Sequence, residues 1–103
     1  SRRPDNSYAG AELRADGQWH LDIREQTKAV LENIRHYLNL NQGDLSHLVD
    51  VTVFLKNMAD FDAYNEVYNT FFPESGPCRT TVEVSDLPRP QILIEIKATA
   101  FIE

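Results

Sequence analysis

Two short runs of alternating residues, separated by a proline-punctuated turn, constrain this chain more than any other feature. The first is Pro77-Cys78-Arg79-Thr80-Thr81-Val82-Glu83-Val84, the turn contains Leu87-Pro88-Arg89-Pro90, and the second is Ile92-Leu93-Ile94-Glu95-Ile96-Lys97-Ala98. Side chains of a β-strand alternate between the two faces of its sheet, and a slip of one residue exchanges the two sets. One phase is apolar: Val82 and Val84, then Ile92, Ile94 and Ile96. The other holds Arg79, Thr81 and Glu83, then Glu95 and Lys97. The apolar phase marks a core face. The second phase, with an arginine, a glutamate and little bulk, reads as the face of a site.

The rest of the chain supplies what covers such a sheet. Asp16-Gly17, between Glu12-Leu13-Arg14 and Trp19-His20-Leu21, is a hairpin signal. Asp22-Ile23-Arg24-Glu25 has the form of a capping box. The helix it opens carries Ile23, Thr27, Val30, Leu31, Ile34 and Leu38 on one stripe and ends between Asn39 and Gly43. His36 falls on its outer side, and His47 has no second ligand at metal spacing, so both read as structural. Val49, Val51, Val53 and Leu55 alternate with Asp50, Thr52, Phe54 and Lys56, which predicts a strand. Asp60 is the expected N-cap of a second helix, whose stripe is Phe61, Tyr64, Asn65, Tyr68, Phe71 and Phe72. Asn65 interrupts that stripe, and a polar amide there needs partners. Pro73, Gly76 and Pro77 end the helix.

The order is therefore hairpin, helix, strand, helix, strand, strand: an α+β fold with both helices on one face of a mixed sheet. The 103 residues suit one domain. The opposite face would carry Thr52, Phe54, Arg79, Thr81, Leu93, Glu95 and Phe101. That set is too apolar for open solvent and too charged for a core, so burial against further copies of the chain is expected, with ligand clefts between them.

The formal net charge of -6 excludes nucleic acid and anionic membranes as electrostatic partners. A single cysteine, Cys78, allows no internal disulfide and points to a reducing compartment, the cytoplasm. No run is long enough to span a membrane. There is no glycine-rich phosphate loop, no metal-ligand spacing and no Gly-x-Ser-x-Gly elbow, so no metal site is expected. What remains is chemistry by arginine, glutamate and hydroxyls. Arg79 suits a bidentate grip on a carboxylate. Glu95 suits holding water or passing a proton. Thr81 offers a hydroxyl on the phase of Arg79. The plain alternative is a cross-strand Arg79–Glu95 salt bridge.

These stretches, with Asp50-Val51-Thr52-Val53-Phe54-Leu55, Met58-Ala59-Asp60-Phe61 and Asn65-Glu66-Val67-Tyr68, resemble the RidA/YjgF family of reactive-intermediate deaminases from about Asp22 to the end. The resemblance implies a chorismate-mutase-like fold, a homotrimer with clefts between subunits, and cofactor-free hydrolysis of enamines and imines to ketones and ammonia. It implies Arg79 as the carboxylate-binding arginine, Glu95 as the water-positioning glutamate and Asn65 as a residue near the site. Thr81 stands where many members have cysteine. The family's N-terminal strands, with a ligand-contacting tyrosine and serine, are missing from these 103 residues, and the opening Ser1-Arg2-Arg3-Pro4 suggests a fragment or processed chain.

Within the family, Ser1-Arg2-Arg3-Pro4-Asp5-Asn6, Leu21-Asp22-Ile23-Arg24, Asn33-Ile34-Arg35 and Tyr64-Asn65-Glu66-Val67-Tyr68 are most similar to members acting on 2-aminomuconate. That substrate is a dicarboxylate, and Arg2, Arg3 or Arg89 would supply the second cation. The alternatives are a general deaminase of 2-iminobutanoate and 2-iminopropanoate, and a non-catalytic trimeric protein that binds ligands or acts as a chaperone.

Overall fold

A computed structural model describes residues 9–73 and 76–102. Its elements are β1 (Ala11–Leu13), β2 (Trp19–Leu21), α1 (Ile23–Leu40), β3 (Leu48–Leu55), α2 (Phe61–Phe71), β4 (Cys78–Glu83) and β5 (Ile94–Ala100). Strands β1 and β2 form the expected antiparallel hairpin, with Leu13 opposite Trp19 and Gly17 at φ 84° in the turn. Glycine takes that conformation without the steric penalty of a Cβ.

Asp22 caps α1, its carboxylate accepting from the backbone of Arg24 and Glu25 at 3.0 and 3.3 Å. The reciprocal half of the expected capping box is replaced: the Asp22 amide donates to Gly10 O, which ties the hairpin to the helix. Gln26 completes that joint. Its buried amide donates to Gly10 O and Gln91 O and accepts from Leu93 N, joining hairpin, α1 and the approach to β5. Gly10, at φ 78°, leaves no room for a side chain, since a Cβ would sit 2.7 Å from Asp22 O.

The sheet has the order β4-β3-β5. Strand β4 runs parallel to β3, with α2 as the crossover, and β5 runs antiparallel to it. The apolar phase of β3 is buried as expected at Val51, Val53 and Leu55, and meets Leu31 and Leu38 of α1, Tyr64 and Tyr68 of α2, and Ile94. Val49 departs from that reading. A register shift between Leu48 and Asp50 turns Leu48 into the core and leaves Val49 51% exposed.

The start of α2 also differs from expectation. Asp60 occupies the cap position but makes no capping hydrogen bond with its side chain. A single 3-10 turn, Met58–Asp60, precedes the helix and is capped by Asn57, whose side chain accepts from Ala59 N at 2.9 Å. Glu83 accepts from Met58 N at 2.6 Å and holds the same turn against β4. Among the described residues, no helix is long and apolar enough to cross a membrane.

Candidate functional site

The largest correction concerns β4. Register pairs Val51 with Arg79 and Val53 with Thr81, so Arg79 and Thr81 share the helix-covered face with the core valines. They do not lie on the open face, where the alternation had put them. The expected core residue Val82 is instead 37% exposed on the other face. The cause is α2. Its stripe ends in polar groups at the β4 edge of the sheet, and these engage the arginine and threonine where valines would leave them unpaired.

Arg79 is held on three sides. Its Nη1 donates to Asn65 Oδ1 at 2.7 Å and to Tyr64 Oη at 3.2 Å. Its guanidinium carbon stands 4.3 Å from the centroid of the Tyr68 ring and 5.8 Å from that of Tyr64. A guanidinium only donates, so the Asn65 atom facing it is the carbonyl oxygen and the amide nitrogen points away. Both hydrogens of Nη1 are engaged. Among the described residues, Nε and Nη2 carry no partner, and together they form the parallel fork that grips a carboxylate. Asn65 thus answers the question its place on the stripe raised: it fixes the arginine.

Tyr64 and Tyr68, placed by the sequence on the aromatic stripe of α2 and not among the candidate site residues, contribute as well. They are core, at 0% and 4% exposure, yet they also form the bed of Arg79. The signal was present as two tyrosines, rather than phenylalanines, one turn apart beside Asn65. The aromatic series continues from Phe61 to Phe72, with ring centroids 4.7–6.2 Å apart at successive pairs. Burial pushes the Tyr68 phenol above its usual range, and the Arg79 charge partly offsets this.

Glu95 lies elsewhere. It pairs with Phe54, in the phase opposite Val53, so it projects from the face that the helices leave open, together with Thr52, Thr80, Val82 and Lys97. Strand β3 separates β5 from β4, and Glu95 pairs with Phe54 where Arg79 pairs with Val51, so their backbones lie roughly 14 Å apart, two strand spacings across and three residues along. Within one chain the two groups therefore neither share a pocket nor form the cross-strand salt bridge considered above. Arg89 is exposed in the turn before β5. Arg2 and Arg3 lie outside the described residues. Among the described residues, no cluster of His, Cys, Asp or Glu is placed to hold a metal ion.

Residues 8–102 match the family model described as Endoribonuclease L-PSP. A RutC family protein of Pyrococcus abyssi is 50% identical over 82 residues, 80% of this chain and 64% of that protein. The 3-aminoacrylate deaminase RutC of Acinetobacter baylyi is 41% identical over 79% of this chain and 64% of its own length. The structure of Escherichia coli TdcF with bound serine superposes with a TM-score of 0.75 at 27% identity, covering 93% of this chain and 78% of that one. The chain spans less than two thirds of the length of these curated relatives.

Proposed function

The chain belongs to the Endoribonuclease L-PSP family, the RidA/YjgF proteins, and from that premise we propose that it is a hydrolytic deaminase of enamine and imine carboxylates. The observation that carries this reading is Arg79, clamped by Asn65 and Tyr64, stacked on Tyr68, and left with a free donor fork. A cation so constrained, with its donor fork free, suits a planar anionic ligand such as a carboxylate. The same acidity, -6 overall, speaks against RNA as that ligand.

Because Glu95 projects from the other face, the catalytic cleft joins two copies: Arg79 of one and Glu95 of the next. The open sheet face, with Thr52 and Phe54 half-buried and Val82 exposed, is the surface on which copies meet. A closed homotrimer of the chorismate-mutase-like arrangement gives every copy both roles. In that cleft Arg79 anchors the substrate carboxylate and Thr81 lies beside it. Protonation of the enamine at carbon by solvent gives the iminium. Water held by Glu95 loses a proton to it and adds to the iminium carbon, giving a neutral carbinolamine. The carbinolamine takes that proton at nitrogen; as the C–N bond breaks and ammonia leaves, its hydroxyl gives a proton back to Glu95, which returns it to solvent, and the oxo acid remains. No step needs a metal or an organic cofactor.

Within this class the substrate is 2-aminomuconate, on the similarity of the Tyr64-Asn65-Glu66-Val67-Tyr68 and Leu21-Asp22-Ile23-Arg24 stretches noted above, with Arg2, Arg3 or Arg89 for its second carboxylate. The test is ammonia release from freshly generated 2-aminomuconate and, in parallel, from 2-iminobutanoate. Faster release from 2-aminomuconate is expected; release from 2-iminobutanoate alone overturns the substrate, and none from either overturns the activity. Glu95→Ala should lower the rate roughly 10²–10⁴-fold, the usual cost of removing a general base. An unchanged rate removes Glu95 from the chemistry.

A further inference from the structure

The open sheet face carries two charged side chains of β5 that have no partner within the chain. Glu95 lies opposite Phe54 and Lys97 opposite Thr52, so both project from the face on which copies meet. Both are exposed, and among the described residues neither side chain makes a hydrogen bond or an ion pair. Asp50, the other acid of this face, stands opposite Thr99 and leaves Lys97 unpaired as well. Lys56, two residues beyond Phe54, is the other cation near Glu95, and it is already engaged. Its Nζ stands 3.8 Å from Asp86 Oδ1 and donates to Pro90 O at 3.5 Å. An ammonium carried into an interface loses its hydration, so burial of this face requires a negative partner for Lys97.

The spacing on β5 fits a ligand with two carboxylates. Glu95 and Lys97 are neighbours on one side of a strand, about 7 Å apart along the backbone. The Lys97 ammonium ends a flexible four-carbon stem and reaches over part of that gap. In an unbranched six-carbon diacid, carbon 2 and the far carboxyl carbon are separated by at most about 5 Å. The first carboxylate takes the Arg79 fork of one copy, and carbon 2 faces the water held by Glu95 of the next. A chain extended along β5 then brings its far carboxylate to Lys97. The opposite direction meets Leu93 and the engaged Lys56.

We infer that Lys97 is a specificity-determining residue, whose ammonium takes the second carboxylate of a dicarboxylate held by Arg79 of the neighbouring copy. This deepens the deaminase reading and rests on it for the cleft. It gives the second carboxylate a partner on the strand of the glutamate itself, whereas Arg89 is exposed in the turn before β5. A monocarboxylate of the same length leaves Lys97 facing a methyl group.

The test is equilibrium binding of 2-oxoadipate and 2-oxohexanoate to the full chain by titration calorimetry. These stable 2-oxo acids share a six-carbon chain and end on a carboxylate and a methyl group respectively. The parent should prefer 2-oxoadipate. Lys97→Met keeps the stem and removes the charge. It should weaken 2-oxoadipate about 10–100-fold, the scale of a charge-assisted hydrogen bond, and change 2-oxohexanoate by less than about twofold. Lys97→Arg, which keeps the charge, should retain the preference. A lysine that only pairs with Glu95 or Asp50, or only holds copies together, would on removal weaken both ligands alike.

Equal losses on the two ligands in Lys97→Met overturn the inference, as does a parent without the preference or a preference that survives the substitution. If Lys97→Met fails to assemble by native mass spectrometry, Lys97→Gln against Lys97→Arg decides, and equal preferences in those two overturn it. Ammonia release separates this role from the activity. In Lys97→Met the KM for 2-aminomuconate should rise while kcat stays, the mark of lost ground-state binding. Binding with the predicted pattern but no ammonia release leaves the role of Lys97 standing and removes the deaminase activity. Ammonia release with a preference untouched by Lys97→Met does the reverse.

Discussion

At the scale of single residues, the strongest claims concern what is done to Arg79. Its position is fixed by an amide oxygen, a phenol oxygen and an aromatic face, and each of these uses the planar shape of the guanidinium. Lysine carries equal charge without the plane or the fork. Arg79→Lys should therefore weaken pyruvate binding about 10–100-fold in calorimetry, despite the conserved charge; an affinity within twofold of the parent would mean that charge alone suffices. Asp60 makes a different kind of prediction. Burial raises its carboxyl above 3.8, and it lacks the capping bond that would repay its ionisation. A folded-state value above the unfolded one means that the folded chain binds the proton more tightly. The stabilising contribution is then complete below pH 3.8 and is lost as pH rises through the raised value. Urea melts of the parent and Asp60→Asn should show the parent losing stability relative to the variant over that interval. A difference that is flat with pH, or that grows in the parent's favour, contradicts it.

At the scale of elements, the helices and the central strand were legible because one physical signal dominates each. The stripe from Ile23 to Leu38 and the alternation from Val51 to Leu55 are both driven by burial of apolar side chains, which sequence displays directly. Strand β4 was not legible in the same way. Its face is decided by polar groups on a helix ten or more residues away, and alternation cannot see Tyr64, Asn65 and Tyr68 competing with Val82 for the covered side. Val49 failed for a related reason, since a bulge is a pairing event between distant strands.

The end of α1 shows a local signal displaced by one residue. Gly43 N bonds Leu38 O and Gln42 N bonds Asn39 O, the two bonds of a Schellman motif. The left-handed position, φ 63°, is occupied by Gln42, and the glycine follows it. Gln42→Gly should stabilise the chain by about 1 kcal/mol by removing the Cβ penalty there. Chemical denaturation checks this, and a loss of stability would show that the left-handed turn is not retained in solution.

At the scale of the whole molecule, the separation of Arg79 from Glu95 is the fact on which the function turns. The alternation placed both on one face, projecting together into a cleft completed by a further copy. The structure gives each its own face, one under α2 and one open. A hydrolytic site that uses both must then be assembled from two copies, the arginine edge of one meeting the open sheet of another. The residue types of the proposed site and a cleft between copies were readable from sequence; the placement of Arg79 and Glu95 on different faces was not, because it depends on the phase of β4.

The most direct measurement is subunit complementation. Arg79→Ala and Glu95→Ala chains are each prepared alone, then mixed in equal amounts under conditions that exchange subunits, with mixed assemblies verified by native mass spectrometry. Each variant alone should release almost no ammonia. In the mixture, a cleft that takes its arginine from the Glu95→Ala copy and its glutamate from the Arg79→Ala copy is complete, so random assembly in a closed ring should restore about a quarter of the parent rate. Mixed assemblies that form and remain inactive would contradict the shared cleft.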